Sequence, residues 1–133
     1  MTDRELLELA AKAIGMNVLL EGIEWPRDKT GWFFCQRGGD GAPALFDRSS
    51  PMLASWAPLT DDGDALRLAL KLGFKIDSNF KTGADERPGV GVWVAGDTEH
   101  YPPFWTANSK DICKDTRHTI VRAAAELGKR VQP

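Results

Sequence analysis

Apolar residues return at helical spacing in three stretches of this chain. In the first, Leu6, Leu7, Ala10, Ala13 and Ile14 share one face. Thr2 stands three residues before Glu5, the spacing of a capping box, and Gly15 offers a C-terminal stop, so the pattern predicts a helix from Asp3 to Ile14. Arg4, Glu8 and Lys12 recur at i,i+4 on its outer face, a solvated ladder contributing about 0.3 kcal/mol per pair.

The second stretch is WAPLTDDGDALRLALKLG, Trp56 to Gly73. Pro58 blocks an earlier start, and Thr60 or Asp61 can accept from the free amides while the neighbouring acids sit at the positive end of the helix dipole. Asp64, Arg67 and Lys71 form a narrow polar stripe. Ala65, Leu66, Leu68, Ala69, Leu70 and Leu72 cover the rest, which predicts a helix buried on most sides. In the third stretch Ile112, Thr116, Ile120, Ala124 and Leu127 make the stripe, Ser109 or Asp111 can cap it, and Gly128 ends it with Lys129 and Arg130 near the negative pole.

Between the helices the pattern changes. Asn17 to Trp25 has β-favouring residues with weak alternation and is closed by Pro26, which suggests a short extended piece. Trp32 to Gln36 and Pro43 to Asp47 are apolar runs separated by Gly38, Gly39 and Gly41, a β-hairpin with a flexible loop. Arg48 to Leu59 reads as loop or edge. Phe74 and Ile76 alternate in FKID, Val90, Val92 and Val94 alternate in VGVWV, and KTGADERPG joins them as a second hairpin. AGDTEHYPPFWTANS has two consecutive prolines and no usable period, so it reads as irregular. The whole is an α+β domain over residues 1–133, a small antiparallel sheet of two hairpins packed with three helices in the order α-β-β-α-β-β-α.

Charge and composition narrow the partners. The 133 residues are 42% hydrophobic, enough for one core, and 17 Lys and Arg against 19 Asp and Glu leave a net charge of −2. Such a balance gives no pull toward phosphate backbones or anionic lipid, and nucleic-acid binding would need Arg117, Arg122, Lys129 and Arg130 in one stripe that Glu126 interrupts. The acidic, amphipathic N-terminus lacks the basic flank and continuous apolar core of a signal peptide, and no segment is long enough to span a bilayer. A cytoplasmic protein is expected. Cys35 and Cys113 are far apart in sequence and are expected as thiols.

Several chemistries fail on spacing. Asp61, Asp62 and Asp64 do not alternate as calcium ligands do, and Ala65, Leu66, Arg67 and Leu68 follow without a closing acid, so helix initiation explains them better than a metal loop. The RGGDG segment, Arg37 to Gly41, follows a strand and precedes another, which makes it a turn rather than a phosphate loop. Cys113 stands near a helix start with His118 five residues on, which is not same-face spacing, and no G-x-S-x-G elbow is present. The pattern indicates no catalytic residue, no cofactor and no metal ligand. Of the five tryptophans, Trp32, Trp56 and Trp93 fall beside predicted elements and belong to the core or its rim. Tyr101, Phe104 and Trp105, in a proline-stiffened loop, are the candidate protein-interaction residues, with packing onto the sheet as the alternative.

The segment Trp56-x-Pro58-Leu59-x-Asp61-Asp62-Gly63-Asp64-Ala65-Leu66-Arg67-Leu68-Ala69-x-Lys71-Leu72, with the closing Arg117-x-x-Ile120-Val121-Arg122-Ala123-Ala124-Ala125-Glu126-Leu127-Gly128, resembles a group of small uncharacterised proteins encoded by tailed phages and prophages of proteobacteria. The chain departs from that group at Ala57 and His118. The resemblance implies context, an accessory phage product in a bacterial host cytoplasm, and it brings no catalytic residues with it. The leading expectation is therefore a non-enzymatic protein-binding module acting on a host or phage macromolecule, including inhibition of a host system, with a homodimer open. The alternative is a small enzyme or nucleotide- or metal-binding domain in which Asp61, Asp62 and Asp64 converge with Arg67, Arg117 or Arg122.

Overall fold

A computed structural model describes residues 2–18, 31–36, 43–47, 55–81, 88–96, 102–107 and 111–131. The elements are α1 (Asp3–Ala13), β1 (Trp32–Gln36), β2 (Pro43–Asp47), β3 (Ser55–Trp56), α2 (Asp62–Leu72), β4 (Lys75–Lys81), β5 (Pro88–Trp93), β6 (Phe104–Ala107) and α3 (Ile112–Lys129). The class is α+β, as the pattern predicts. The strands form two three-stranded antiparallel sheets, β1-β2-β3 and β4-β5-β6, rather than one sheet of two hairpins.

Both predicted hairpins form. β1 and β2 pair with Trp32 opposite Asp47 and Gln36 opposite Pro43, and the cross-strand rings of Phe33 and Phe46 lie 5.9 Å apart. β4 and β5 pair from Lys75–Trp93 to Lys81–Pro88 with a register shift between Asp77 and Phe80. Each sheet gains a third strand from a segment that lacks visible alternation. β3 is two residues long and pairs through Leu45–Trp56 and Phe46–Ser55, too short to show a period. β6 contradicts the irregular reading of residues 104–107: Val92 pairs with Phe104 and Val90 with Thr106, so Phe104 and Thr106 share one face and Trp105 takes the other. Apolar residues on both faces erase the alternation a sequence reading depends on. Of the extended piece over Asn17 to Trp25, Val18 makes an isolated parallel bridge to Trp32; residues 19–25 lie outside the described residues.

The helix starts follow local chemistry. Thr2 Oγ1 accepts from the Glu5 amide at 3.2 Å while Glu5 Oε2 accepts from the Thr2 amide at 2.9 Å, completing the capping box. Asp61, not Thr60, caps α2, and Asp111 caps α3. Gly73 closes α2 in the left-handed conformation, φ 71°.

α3 is the hub. It packs most extensively on α1 and also touches α2, β5 and β6. One apolar cluster joins Leu6, Leu7, Ala10 and Ala11 of α1, Leu45, Trp56, Leu59, Ala65, Leu68 and Ala69, Val90 and Val92 of β5, and Ile120, Val121, Ala123, Ala124 and Ala125 of α3. The covered face of α3 differs from the predicted stripe. Ile112 is exposed and Leu127 half-buried, whereas Asp115, Thr119, Val121 and Gly128 are buried. Gly128 is not a stop: α3 continues through Lys129, and a Cβ at Gly128 would overlap the Leu9 carbonyl oxygen and lie 2.6 Å from its carbonyl carbon. Asp3 Oδ1 lies 3.9 Å from His118 Nε2, so α1 and α3 run in the same direction, brought to backbone contact at Leu9 and Gly128. Arg4, placed on the solvated ladder by spacing, sets its guanidinium carbon 4.4 Å from the centre of the Phe34 ring and so ties α1 to β1.

Candidate functional site

Ser55 and Trp56 lead into a turn whose residues Ala57, Pro58 and Leu59 are all buried. The amides of Thr60 and Asp61 donate to Ala57 O at 3.0 and 2.8 Å. Asp61 Oδ1 accepts from the Asp64 amide at 2.9 Å, the N-cap bond. Asp64 turns inward, where Oδ2 accepts from the buried Ala57 amide at 2.9 Å and Oδ1 accepts from Arg67 Nη2 at 2.6 Å. That bond and the charge behind it raise the Arg67 pKa above its ordinary value, so the guanidinium stays charged. Asp62 points the other way, and its Oδ1 accepts from Arg117 Nη1 at 2.6 Å while Arg117 Nε donates to Leu59 O at 2.9 Å. The segments Trp56–Leu72 and Arg117–Gly128 thus meet directly, because Arg117 opens the second and grips the turn in the first.

This geometry assigns each acid a task within the fold. Asp61 caps, Asp62 holds α3, and Asp64 satisfies a buried amide that would otherwise be left without a partner. The three carboxylates do not converge on one point, and among the described residues no group of three metal-ligating side chains is placed to hold an ion. The basic residues are likewise divided: Arg122 Nη1 donates to Thr106 Oγ1 at 3.2 Å, and Lys129 Nζ donates to Glu126 Oε2 at 3.1 Å.

Beside the Asp62–Arg117 pair a groove of about 510 Å³ opens between α2 and α3, with Ile76 of β4 at its side. Ala65, Leu66, Ile76, Ile112 and Ile120 line it with apolar groups, and Cys113 and Thr116 add a thiol and a hydroxyl. The exposed face of α2 corrects the expectation for that helix. Leu66 is 53% and Leu70 69% exposed, one helical turn apart, so α2 buries Asp64, Ala65, Leu68 and Ala69 and presents an apolar stripe outward. Ile112, 42% exposed, extends that surface onto α3. Cys113 is an exposed free thiol; the side chain of Cys35, in β1, lies outside the described residues.

The aromatic candidates sit elsewhere. Tyr101 lies outside the described residues. Phe104, half-buried, packs against the apolar cluster on the helix side of β6, next to Thr106, whose hydroxyl meets that of buried Thr119 at 2.9 Å. Trp105 is half-buried on the opposite face, its indole laid over Gly89, where a Cβ would come within 2.5 Å of Nε1. That Nε1 is buried and finds no acceptor among the described residues. Of the other tryptophans, Trp56 and Trp93 are buried and Trp32 packs half-buried against the cluster, as expected; Lys75 Nζ stands 5.1 Å from the centre of the Trp93 ring.

The chain matches no protein-family profile, no curated protein and no solved structure. No helix among the described residues is long and apolar enough to cross a membrane.

Proposed function

We propose that this chain is a phage or prophage accessory protein that acts in the bacterial cytoplasm as a non-enzymatic protein-binding module, directed at a host or phage macromolecule. The observation that carries the reading is the outward apolar surface of α2 and the first turn of α3, Leu66, Leu70 and Ile112, beside a groove of about 510 Å³. Contiguous apolar surface next to a concavity is where protein partners dock, whereas singly scattered apolar residues carry no such meaning. The acids that an enzyme or nucleotide site would draw on are engaged in capping, a buried amide and an interhelix ion pair, and this favours binding over chemistry. Phe104 and Trp105 are half-buried, which supports α2 over these two aromatics as the contact face in this reading.

The test pairs capture with mapping. Tagged protein is presented to bacterial host lysate beside a Leu66→Glu, Leu70→Glu variant and a Tyr101→Ala, Phe104→Ala, Trp105→Ala variant, each first shown to melt as the parent does. Hydrogen exchange is then measured on the purified complex. The expected result is a stoichiometric partner lost only with the leucine variant, with new amide protection on α2 and the start of α3. A partner retained by the leucine variant, or protection confined to β6, overturns the assignment.

A further inference from the structure

We infer that the occupant of the α2 face is an amphipathic helix bearing acidic residues along one border of its apolar stripe. This rests on the protein-binding reading above and names the chemistry of the partner. Leu66 lines the groove and Leu70 is exposed one turn further along α2, the spacing at which a second helix lays its own i and i+4 residues between and against them. Such a helix is short, apolar on one face, and needs no pocket deeper than the one present.

Its charge follows from which charges on α2 are already committed. Asp62 is paired with Arg117 at 2.6 Å, Asp64 with Arg67 at 2.6 Å, and Asp61 is turned onto the Asp64 amide. The groove border of the stripe is therefore an internally neutralised Asp62–Arg117 pair. The other border carries Arg67 and Lys71, each one residue beyond a stripe leucine and themselves i,i+4, so a basic row runs alongside the apolar one. Arg67 is 71% exposed and gives Asp64 only Nη2, which leaves most of its fork facing solvent. Lys71 is exposed and makes no ion pair among the described residues. An incoming helix meets the Lys71 ammonium and the solvent-facing donors of Arg67, whose partner Asp64 lies buried beneath, on one side of the leucines and the Asp62–Arg117 pair on the other. Glu or Asp on the matching flank gains from that field, and Lys or Arg there is repelled.

The probes are two synthetic helical peptides with the same leucine i,i+4 face, one carrying Glu and the other Lys on a single flank, titrated into the full chain by fluorescence anisotropy at low and high salt. The acidic peptide is expected to bind about tenfold tighter at low salt, with the gap closing as salt screens it. Lys71→Glu, which breaks no described ion pair, is expected to erase or reverse the preference, and Leu70→Glu to abolish binding of both. Equal affinity for the two peptides, or a preference untouched by Lys71→Glu, overturns the charge assignment while leaving a protein-binding face in place. Failure of both peptides overturns the helical occupant. Sedimentation of the chain alone showing a dimer that Leu70→Glu dissolves assigns the face to a second copy and also overturns it. Lysate capture indifferent to Leu66 and Leu70 would instead remove the reading beneath it.

Discussion

Gly128→Ala separates two opposing effects by sign. In a solvent-facing helix position the change stabilises by about 1 kcal/mol, because alanine has the higher helix propensity. At Gly128 the new methyl would overlap the Leu9 carbonyl oxygen, with Leu9 C at 2.6 Å and Leu9 Cα at 3.1 Å. All three atoms are backbone, so no rotamer change relieves the overlap, and α1 has to move away from α3. That movement loosens Leu6, Leu7, Ala10 and Ala11, which share one apolar cluster with Ala124 and Ala125 of α3. Overpacking of a closed site costs typically 1–3 kcal/mol, and a clash with immovable main chain belongs at about 3. After subtracting about 1 for propensity, a net loss of about 2 kcal/mol is expected. For a chain of this size that is a fall in Tm of roughly 6–10 °C. Urea and thermal unfolding followed by far-ultraviolet circular dichroism measure it, with exposed Lys129→Ala as the control expected within about 0.5 kcal/mol of the parent. A Gly128→Ala protein as stable as the parent, or more so, refutes the close approach of α1 and α3.

Arg117→Ala strands the Leu59 carbonyl and frees Asp62, and is expected to cost about 1–3 kcal/mol in urea unfolding; Arg117→Lys recovers only part of this, because a single ammonium cannot reproduce both the Nε and the Nη1 bonds. Asp64→Ala removes the carboxylate that accepts from the buried Ala57 amide and is expected to exceed Asp61→Ala, the simple cap loss of about 1 kcal/mol; equal effects would contradict the inward orientation of Asp64. Gly89→Ala brings a methyl to 2.7 Å from Thr106 O and against the Trp105 indole, so it should lower the melting temperature and change tryptophan emission together. Cys113, exposed on α3, is expected to react with a thiol reagent in the folded protein without loss of stability, and protection of that thiol would place it wrongly.

What could be read from sequence was whatever is decided within a few residues. Capping depends on a side chain and an amide three positions away, so Thr2 with Glu5 and the choice between Thr60 and Asp61 were confined to one turn before any fold was known. The β1–β2 hairpin announced itself through glycines flanked by aromatic and aliphatic runs, and both strands fall where those runs begin and end. Which apolar face of α2 is covered is a different kind of question. Ala65, Leu66, Leu68, Ala69, Leu70 and Leu72 nearly encircle the helix, and only the position of α3 decides that Leu68 is buried and Leu70 is not. The buried face of α3 was misjudged for a related reason: it is built from alanines, a threonine, an aspartate and a glycine that permit close approach, and such residues register weakly on a hydrophobicity pattern. The groove joins residues from Asp62 to Ile120 across three elements, and no local window contains it.

The parallel packing of α1 on α3 sets an order of events during synthesis. The first helix leaves the ribosome with Leu6, Leu7, Ala10 and Ala11 already on one face, yet the surface that covers them most extensively belongs to α3, whose contact at Gly128 follows both sheets in sequence. Everything from β1 through α3 must therefore be translated before α1 can be sealed. Until then α1 is an unsealed amphipathic segment, and ribosome-bound chains truncated before α3 should be cleaved by protease within α1 while the released full-length chain is not.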